Sequence, residues 1–286
     1  MHIEPDMYAE WGQDAAMSLP LDPRYPQRIV CLTEETTETL YLLEEDWRVV
    51  GISGFTVRPP RARREKPKVS AFTSAKIDRI CALQPDLVLG FSDLQADIAA
   101  ELIRRGFAVH VFNHRDVAGV FRMIRTLGGM IGCETKSAAL CDRLEANLAR
   151  VHASAARFAA RPRVYFEEWD DPMISCIQWV SELIAIAGGE DCFMDHARRP
   201  LAKQRIIADP TEVVRRAPDI ILGSWCGKKF QPASVAARRG WQAIPAVAQG
   251  QLFEIKSSII LQPGPAALTE GVEALHERFK AWQLRD

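Results

Sequence analysis

No stretch of this 286-residue chain approaches the ~20 consecutive apolar residues of a membrane span, so no part of it is expected to be embedded in a bilayer. Net charge is almost absent too. Thirty-six Lys and Arg against 37 Asp and Glu leave −1, which gives no reason to expect nucleic acid as a partner. Paired cysteines are missing. The seven (Cys31, Cys81, Cys133, Cys141, Cys176, Cys192, Cys226) are odd in number and scattered, with no C-x-x-C pair. This argues against a disulfide framework or a structural zinc site and suits a reducing compartment. The glycines of Gly128-Gly129-Met130-Ile131-Gly132 lack a preceding strand and a following Lys-Ser/Thr, so they read as a helix break and not as a phosphate loop. No Ser/His/Asp or Cys/His order supports nucleophilic catalysis, and the chain is not expected to be an enzyme. A secretory leader is also not evident. The opening residues carry Glu4, Asp6, Glu10 and Asp14 where a basic start and an apolar run of roughly 7–15 residues would stand. The expected location is cytoplasmic, or periplasmic if a leader has been trimmed.

What is present is alternation. After an irregular lead-in over residues 1–27, Arg28–Leu32, Arg48–Ile52, Leu87–Gly90 and Ala108–Phe112 read as buried strands. Helical patterns at Glu34–Leu43 and Asp93–Arg105 lie between them, and Thr33 is placed to cap the first. Short apolar strands alternating with helices imply a parallel sheet covered on both faces. A single apolar stripe then steps by three and four through Cys141, Leu144, Leu148, Val151, Ala155 and Phe158, a helix of about 25 residues, or roughly 38 Å. The alternation restarts at Arg163–Glu167. It continues with a helix at Gln178–Ala187, strands at Asp219–Gly223 and Gln251–Ile255, and a closing helix at Ala266–Trp282. Each half contains nearly the same phrase, PDLVLG at residues 85–90 and PDIILG at residues 218–223. In each, proline stops a helix, aspartate fits the turn, and four buried residues cross the core. Glycine then bends the chain at the strand's carboxyl end, where open parallel sheets bind ligands. The expected fold is α/β: two Rossmann-like lobes with parallel sheets, joined by one long rigid helix, with a ligand cleft between the lobes. The expected boundaries are 28–132, a linker helix over 133–160, and 161–286.

The order of several short motifs resembles the substrate-binding proteins of cobalamin and iron–siderophore ABC importers, with the closest similarity to the cobalamin binders. They are an opening strand ending near Thr33-Glu34, VGIS before a Pro-Pro loop, KVS before an aromatic, L-x-PDLV, AGGE, and APDII. The resemblance covers most of the chain from Arg28 onward. It implies two α/β lobes joined by a rigid helix, a non-catalytic binding role, and a corrinoid or related metal chelate as ligand. No cofactor is implied, and an ABC permease is the implied protein partner. It places Phe55, Phe72 and Phe91 where those relatives keep ligand-lining aromatics. It also places Asp78 at one transporter-docking position and Glu212 beside the other, where the register itself falls on Thr211.

From the second lobe, Trp169 and Trp225 are candidate ligand-lining rings, since flat side chains suit a large, partly apolar macrocycle. Trp179 reads as core. Arg205 and Lys228, with Lys229, Arg198 and Arg199, are candidates to meet an anionic guest, the mark of the alternative ligand class of ferric siderophores or haem. The acidic stretch Glu167-Glu168-Trp169-Asp170-Asp171 reads as a solvated cleft edge, or as hydrogen-bonding or metal-binding groups. His110 and His114 read as structural, and nothing fixes His196 at the cleft. Cys226 reads as an unreactive thiol, with a metal ligand or nucleophile as the alternative. In an enzyme reusing this fold, that thiol and the acidic stretch would form the active site. No metal site of the protein's own is expected.

Overall fold

A computed structural model describes residues 24–285; residues 1–23 of the expected lead-in lie outside the described part. Five strands build the first sheet: β1 (Ile29–Cys31), β2 (Val49–Ser53), β3 (Lys68–Ser70), β4 (Leu87–Phe91) and β5 (Val109–Phe112). All neighbours are parallel, in the order β3-β2-β1-β4-β5. Helices α1 (Glu34–Leu42), α2 (Pro60–Glu65), α3 (Ile77–Ala82) and α4 (Ala96–Arg104) connect them. Then α5 (Val117–Met130) leads into α6 (Glu134–Ala155), and the chain enters the second sheet. There β6 (Arg163–Asp170), β7 (Met173–Ser175), β8 (Glu190–Asp191), β9 (Ile220–Gly223) and β10 (Leu252–Glu254) pair in the order β10-β9-β6-β7, with β8 beside β6. This sheet is mixed, because β7 folds back antiparallel on β6, whereas β8, β9 and β10 run parallel. The expectation of two parallel sheets therefore needs one amendment. The hairpin went unseen because Met173–Ser175 is too short to show a period.

Side-chain alternation decides where the core sits. In β1, Ile29 and Cys31 face one cluster while Val30 faces another; in β9, Ile220 and Leu222 face one and Ile221 the other. The inner faces of both sheets feed a single continuous core. It runs from Ile29 through the buried stripe of α6 (Leu140, Cys141, Leu144, Leu148, Val151) to Leu183 of α7 (Gln178–Ala187) and on to Phe279. Helix α6 is thus packed between the lobes and is not a bare rod. Gly128 lies inside α5, and a β-carbon there would sit 2.2 Å from the Ser137 hydroxyl of α6. The break itself falls at Ile131–Cys133, with Gly132 at φ +72.

The repeated phrase has a structural counterpart. Asp86 accepts hydrogen bonds from the Gln27 and Arg28 amides (2.6 and 2.9 Å), and Asp219 accepts one from the Arg163 amide (2.8 Å). Arg28 in turn donates to Leu83 O (2.6 Å), and Arg163 to Arg216 O (2.7 Å). In both lobes the aspartate fastens the start of the central strand, and the arginine there caps the helix before the phrase. The closing glycines are not bends, for neither has a positive φ. They admit close neighbours instead: a β-carbon on Gly90 would lie 2.9 Å from Gln95 Oε1, and one on Gly223 would lie 1.8 Å from the Phe230 ring.

The rest of the second lobe is helical: α8 (Met194–Ala197), α9 (Thr211–Arg216), α10 (Pro232–Ala236), α11 (Pro245–Ala248), α12 (Ser257–Ile260) and α13 (Val272–Gln283). A π-turn over Ala267–Gly271 opens the closing helix.

Candidate functional site

Parallel strands end on the side from which their helices depart, and the loops at those ends surround a cavity of about 540 Å³ between the lobes. Every strand of the first sheet contributes. Glu34 and Glu35 follow β1, Phe55 follows β2, Phe72 follows β3, Phe91 ends β4, and Arg115 follows β5. From the second lobe come Glu168 and Trp169 of β6, Arg205 from the segment after β8 (Glu190–Asp191), and Cys226 after β9. Leu261–Pro263 closes the floor.

Five sequence candidates therefore share one wall: Phe55, Phe72, Phe91, Trp169 and Arg205. Trp225 and Lys228 do not line it. The Trp225 ring is 5% exposed, packs edge-on against Phe230 at 5.0 Å, and donates its indole N–H to Glu167 Oε1 at 3.1 Å. Lys228 bridges to Asp170 Oδ1 at 2.6 Å and lies over the Trp169 ring at 4.7 Å. Both follow β9, but the chain turns away there, and only Cys226 reaches the cavity.

The acidic stretch is not a solvated edge. It lies on β6 itself, and three of its carboxylates are engaged. Glu167 is fully buried and accepts from Tyr165 OH (2.9 Å) and Trp225, and in bidentate fashion from Arg238 (2.5 and 3.0 Å). Glu168 takes both terminal nitrogens of Arg205 at 2.7 and 3.2 Å. Asp170 holds Lys228. Among the described residues, no group of three or more His, Cys, Asp or Glu side chains is arranged to hold a metal ion.

Sequence reasoning missed four wall residues. Trp179, set aside as core, is 4% exposed, yet it lines the cavity and donates its indole N–H to Ile260 O at 2.9 Å. Arg115 pairs with Asp93 at 3.1 Å and lies 5.3 Å above the Phe91 ring. Glu34 and Glu35 complete the set; burial pushes them up to about 7 and about 8. Their position after β1 was the available signal, since a strand's carboxyl end is where such groups gather. Thr33 does not cap α1; its hydroxyl donates to Glu35 Oε1 at 2.5 Å.

Of the remaining candidates, His114 Nε2 meets Pro263 O at 2.9 Å and its ring abuts Phe91 edge-on, which joins the lobes at the cavity floor. His110 packs on Phe112, and His196 sits beside Asp195 away from the cavity wall. Cys226 is a thiol whose proton is held more tightly than usual, by burial and by the fields of Glu34 and Glu168, the reverse of an activated nucleophile. Of the two residues expected to dock a transporter, Asp78 is exposed and pairs with Arg105 at 3.0 Å. Glu212 is taken up by Arg215 and Arg216 of its own helix.

No described helix is long and apolar enough to cross a membrane. The chain is 26% identical over 266 residues to an uncharacterized ABC transporter substrate-binding lipoprotein of Bacillus subtilis, covering 88% of this chain and 79% of that one. It is 25% identical over 248 residues to a cobalamin-binding protein of Halobacterium salinarum, covering 84% of this chain and 66% of that protein. The fold matches the apo periplasmic heme-binding protein RhuT of Roseiflexus sp. RS-1 with a TM-score of 0.74 at 22% identity, over 88% of this chain and 98% of that one. The two-lobed architecture, the inter-lobe cavity and a match over residues 29–259 lead to one conclusion: the chain belongs to the periplasmic binding protein family.

Proposed function

We propose that this protein is a non-catalytic binder of a corrinoid, held in the inter-lobe cavity against Phe55, Phe72 and Phe91 on one side and Trp169 on the other. The observation that carries this reading is the pairing of an aromatic wall with cations that are already neutralised. Arg115 has Asp93 and Arg205 has Glu168, which leaves the exposed Lys203 as the unpaired cation among the described lining residues; the wall offers flat apolar area and little free positive charge. An uncharged macrocycle gains from stacking and burial on such a wall, whereas a polyanion has to displace internal carboxylates. The cobalamin-binding relative in Halobacterium points the same way.

The test is a titration with cyanocobalamin, haemin and a ferric siderophore, followed by visible spectra and tryptophan quenching. Tight uptake of the corrinoid, weakened roughly ten-fold or more in Phe91→Ala or Trp169→Ala, is the expected result. The second reading is haem, favoured by the heme-binding structural neighbour; uptake of haemin with silence toward every corrinoid would select it. Turnover of a bound compound that disappears in Cys226→Ala or Glu168→Ala would instead make the protein an enzyme.

The binding is proposed to serve uptake through an ABC permease or handling of the ligand inside the cell. Asp78 is the first-lobe docking residue in the importer version, and the internal pairing of Glu212 weighs against the second contact. The expected cytoplasmic placement has no support from the relatives, one of which is named a lipoprotein. Cell fractionation distinguishes it from a periplasmic placement.

A further inference from the structure

Two polar groups on the cavity wall are short of partners among the described residues: one has none, and the other has only its own backbone amide. One is the Nε–H of Arg205, a residue 2% exposed whose other nitrogens are taken by Glu168 and by Ser175 O. The other is the Glu34 carboxyl. It is 8% exposed, lines the cavity, and makes no side-chain hydrogen bond or ion pair with another residue. A buried carboxyl without a cation is costly unless it is neutral or meets a partner from outside the protein.

We propose that Glu34 is a specificity-determining residue of the cavity, a guest-facing carboxyl that donates a hydrogen bond to a carbonyl oxygen on the guest's rim. It thereby selects amide-rimmed, uncharged chelates against carboxylate-rimmed ones. This rests on the corrinoid reading above.

The surroundings of Glu34 support the donor role. On its own helix stand Glu35, itself buried and pushed up to about 8, and Glu38, which is bound to Arg58 at 2.8 Å. Across a small second void lie Ser258, Gln262 and Arg58, and the Arg58 guanidinium is also engaged by Glu270 at 2.7 Å. From the second lobe, Cys226 and Glu168 face the same cavity; the thiol is neutral and the carboxylate is paired. The remaining cations on the wall are Arg115, paired with Asp93, and Lys203, which is exposed. No cation among the described residues pairs with Glu34, and burial raises it to about 7. Protonated, it offers an O–H to the same cavity that Arg205, with its free N–H, also lines. Both groups then seek acceptors, and a rim of amide carbonyls supplies them. A carboxylate rim would also accept, but as pH rises past about 7 it meets the ionised Glu34 as a like charge, whereas an amide rim does not.

The test uses the full-length protein with cyanocobalamin and with cyanocobalamin whose rim amides have been hydrolysed to carboxylates, titrated from pH 6 to 9. Affinity of the unaltered protein for the amide form should fall about ten-fold as pH rises through 7, the size of one lost charge-free hydrogen bond. Glu34→Gln keeps a donor at every pH and should flatten that profile at the pH 6 affinity. It should also narrow the gap between the two guests at pH 8. Glu34→Ala should bind weakly throughout; if it fails to fold, as judged by thermal melting, the Gln profile decides alone. A pH slope unchanged in Glu34→Gln, or a flat profile in the unaltered protein that still binds corrinoid, overturns the inference and leaves the corrinoid reading standing. Absence of corrinoid binding by the unaltered protein at every pH removes that reading, and this inference with it.

Discussion

Glu35 illustrates how burial rewrites a single residue. It is 1% exposed, accepts from Thr33, and has no ion-pair partner among the described residues, so its carboxyl is pushed up to about 8. Because the folded value lies above the ordinary one, its stabilising contribution is complete below the usual carboxylate range and is lost as pH rises through about 8. Glu35→Gln should therefore come close to the unaltered protein in thermal melting at pH 5 and exceed it at pH 9, by up to about 4–5 kcal/mol for a rise from 4.5 to about 8 at 1.36 kcal/mol per pH unit. Glu167 is the opposite case, fully buried but fully paired. Removing its guanidinium with Arg238→Ala should cost about 3–5 kcal/mol in urea unfolding, since an uncompensated charge is left inside. Both residues occur in plain acidic runs, and nothing local separates them. Their fates depend on Arg238 and Thr33, one of them 71 positions away.

At the scale of elements, the twin phrases serve as clasps. Asp86 binds two amides and Asp219 one, so Asp86→Ala should destabilise more than Asp219→Ala, about 2 against about 1 kcal/mol by urea denaturation. The glycines differ as well. At Gly90 the obstructing atom is the end of a flexible glutamine side chain, whereas at Gly223 it is the Phe230 ring. Gly223→Ala should cost roughly 1–3 kcal/mol and Gly90→Ala distinctly less. The phrase itself was visible because proline and three consecutive apolar residues announce a helix stop and a doubly buried strand. The role of its glycine was not visible, because Phe230 and Gln95 reach it only after folding.

For the whole molecule, the packing of α6 inside a continuous core matters more than its length. First-lobe and second-lobe groups are also fastened to each other around the cavity. The Trp179 amide donates to Arg115 O (2.9 Å), Val117 N donates to Glu182 Oε2 (2.7 Å), and Arg58 joins Glu38 to Glu270. Opening the lobes widely would expose that core and break these bonds. Ligand binding should therefore change the radius of gyration in small-angle scattering by less than about 1 Å, unlike a hinge of free strands. A larger contraction would show that the shared core comes apart in solution.

The sequence alone determined the α/β alternation, the long helix and the aromatic positions at strand ends, because these follow from periodicity and from where parallel strands terminate. Tertiary structure alone decided which of those rings face a common space. Trp225 and Trp179 exchanged roles, since one loop turns into the second lobe while one helix start is docked onto the first. It also decided which charges are spent on one another and which carboxyl, Glu34, is left on the cavity wall without an ion pair. Pairing and burial are properties of distance in space, and spacing along the chain does not record them.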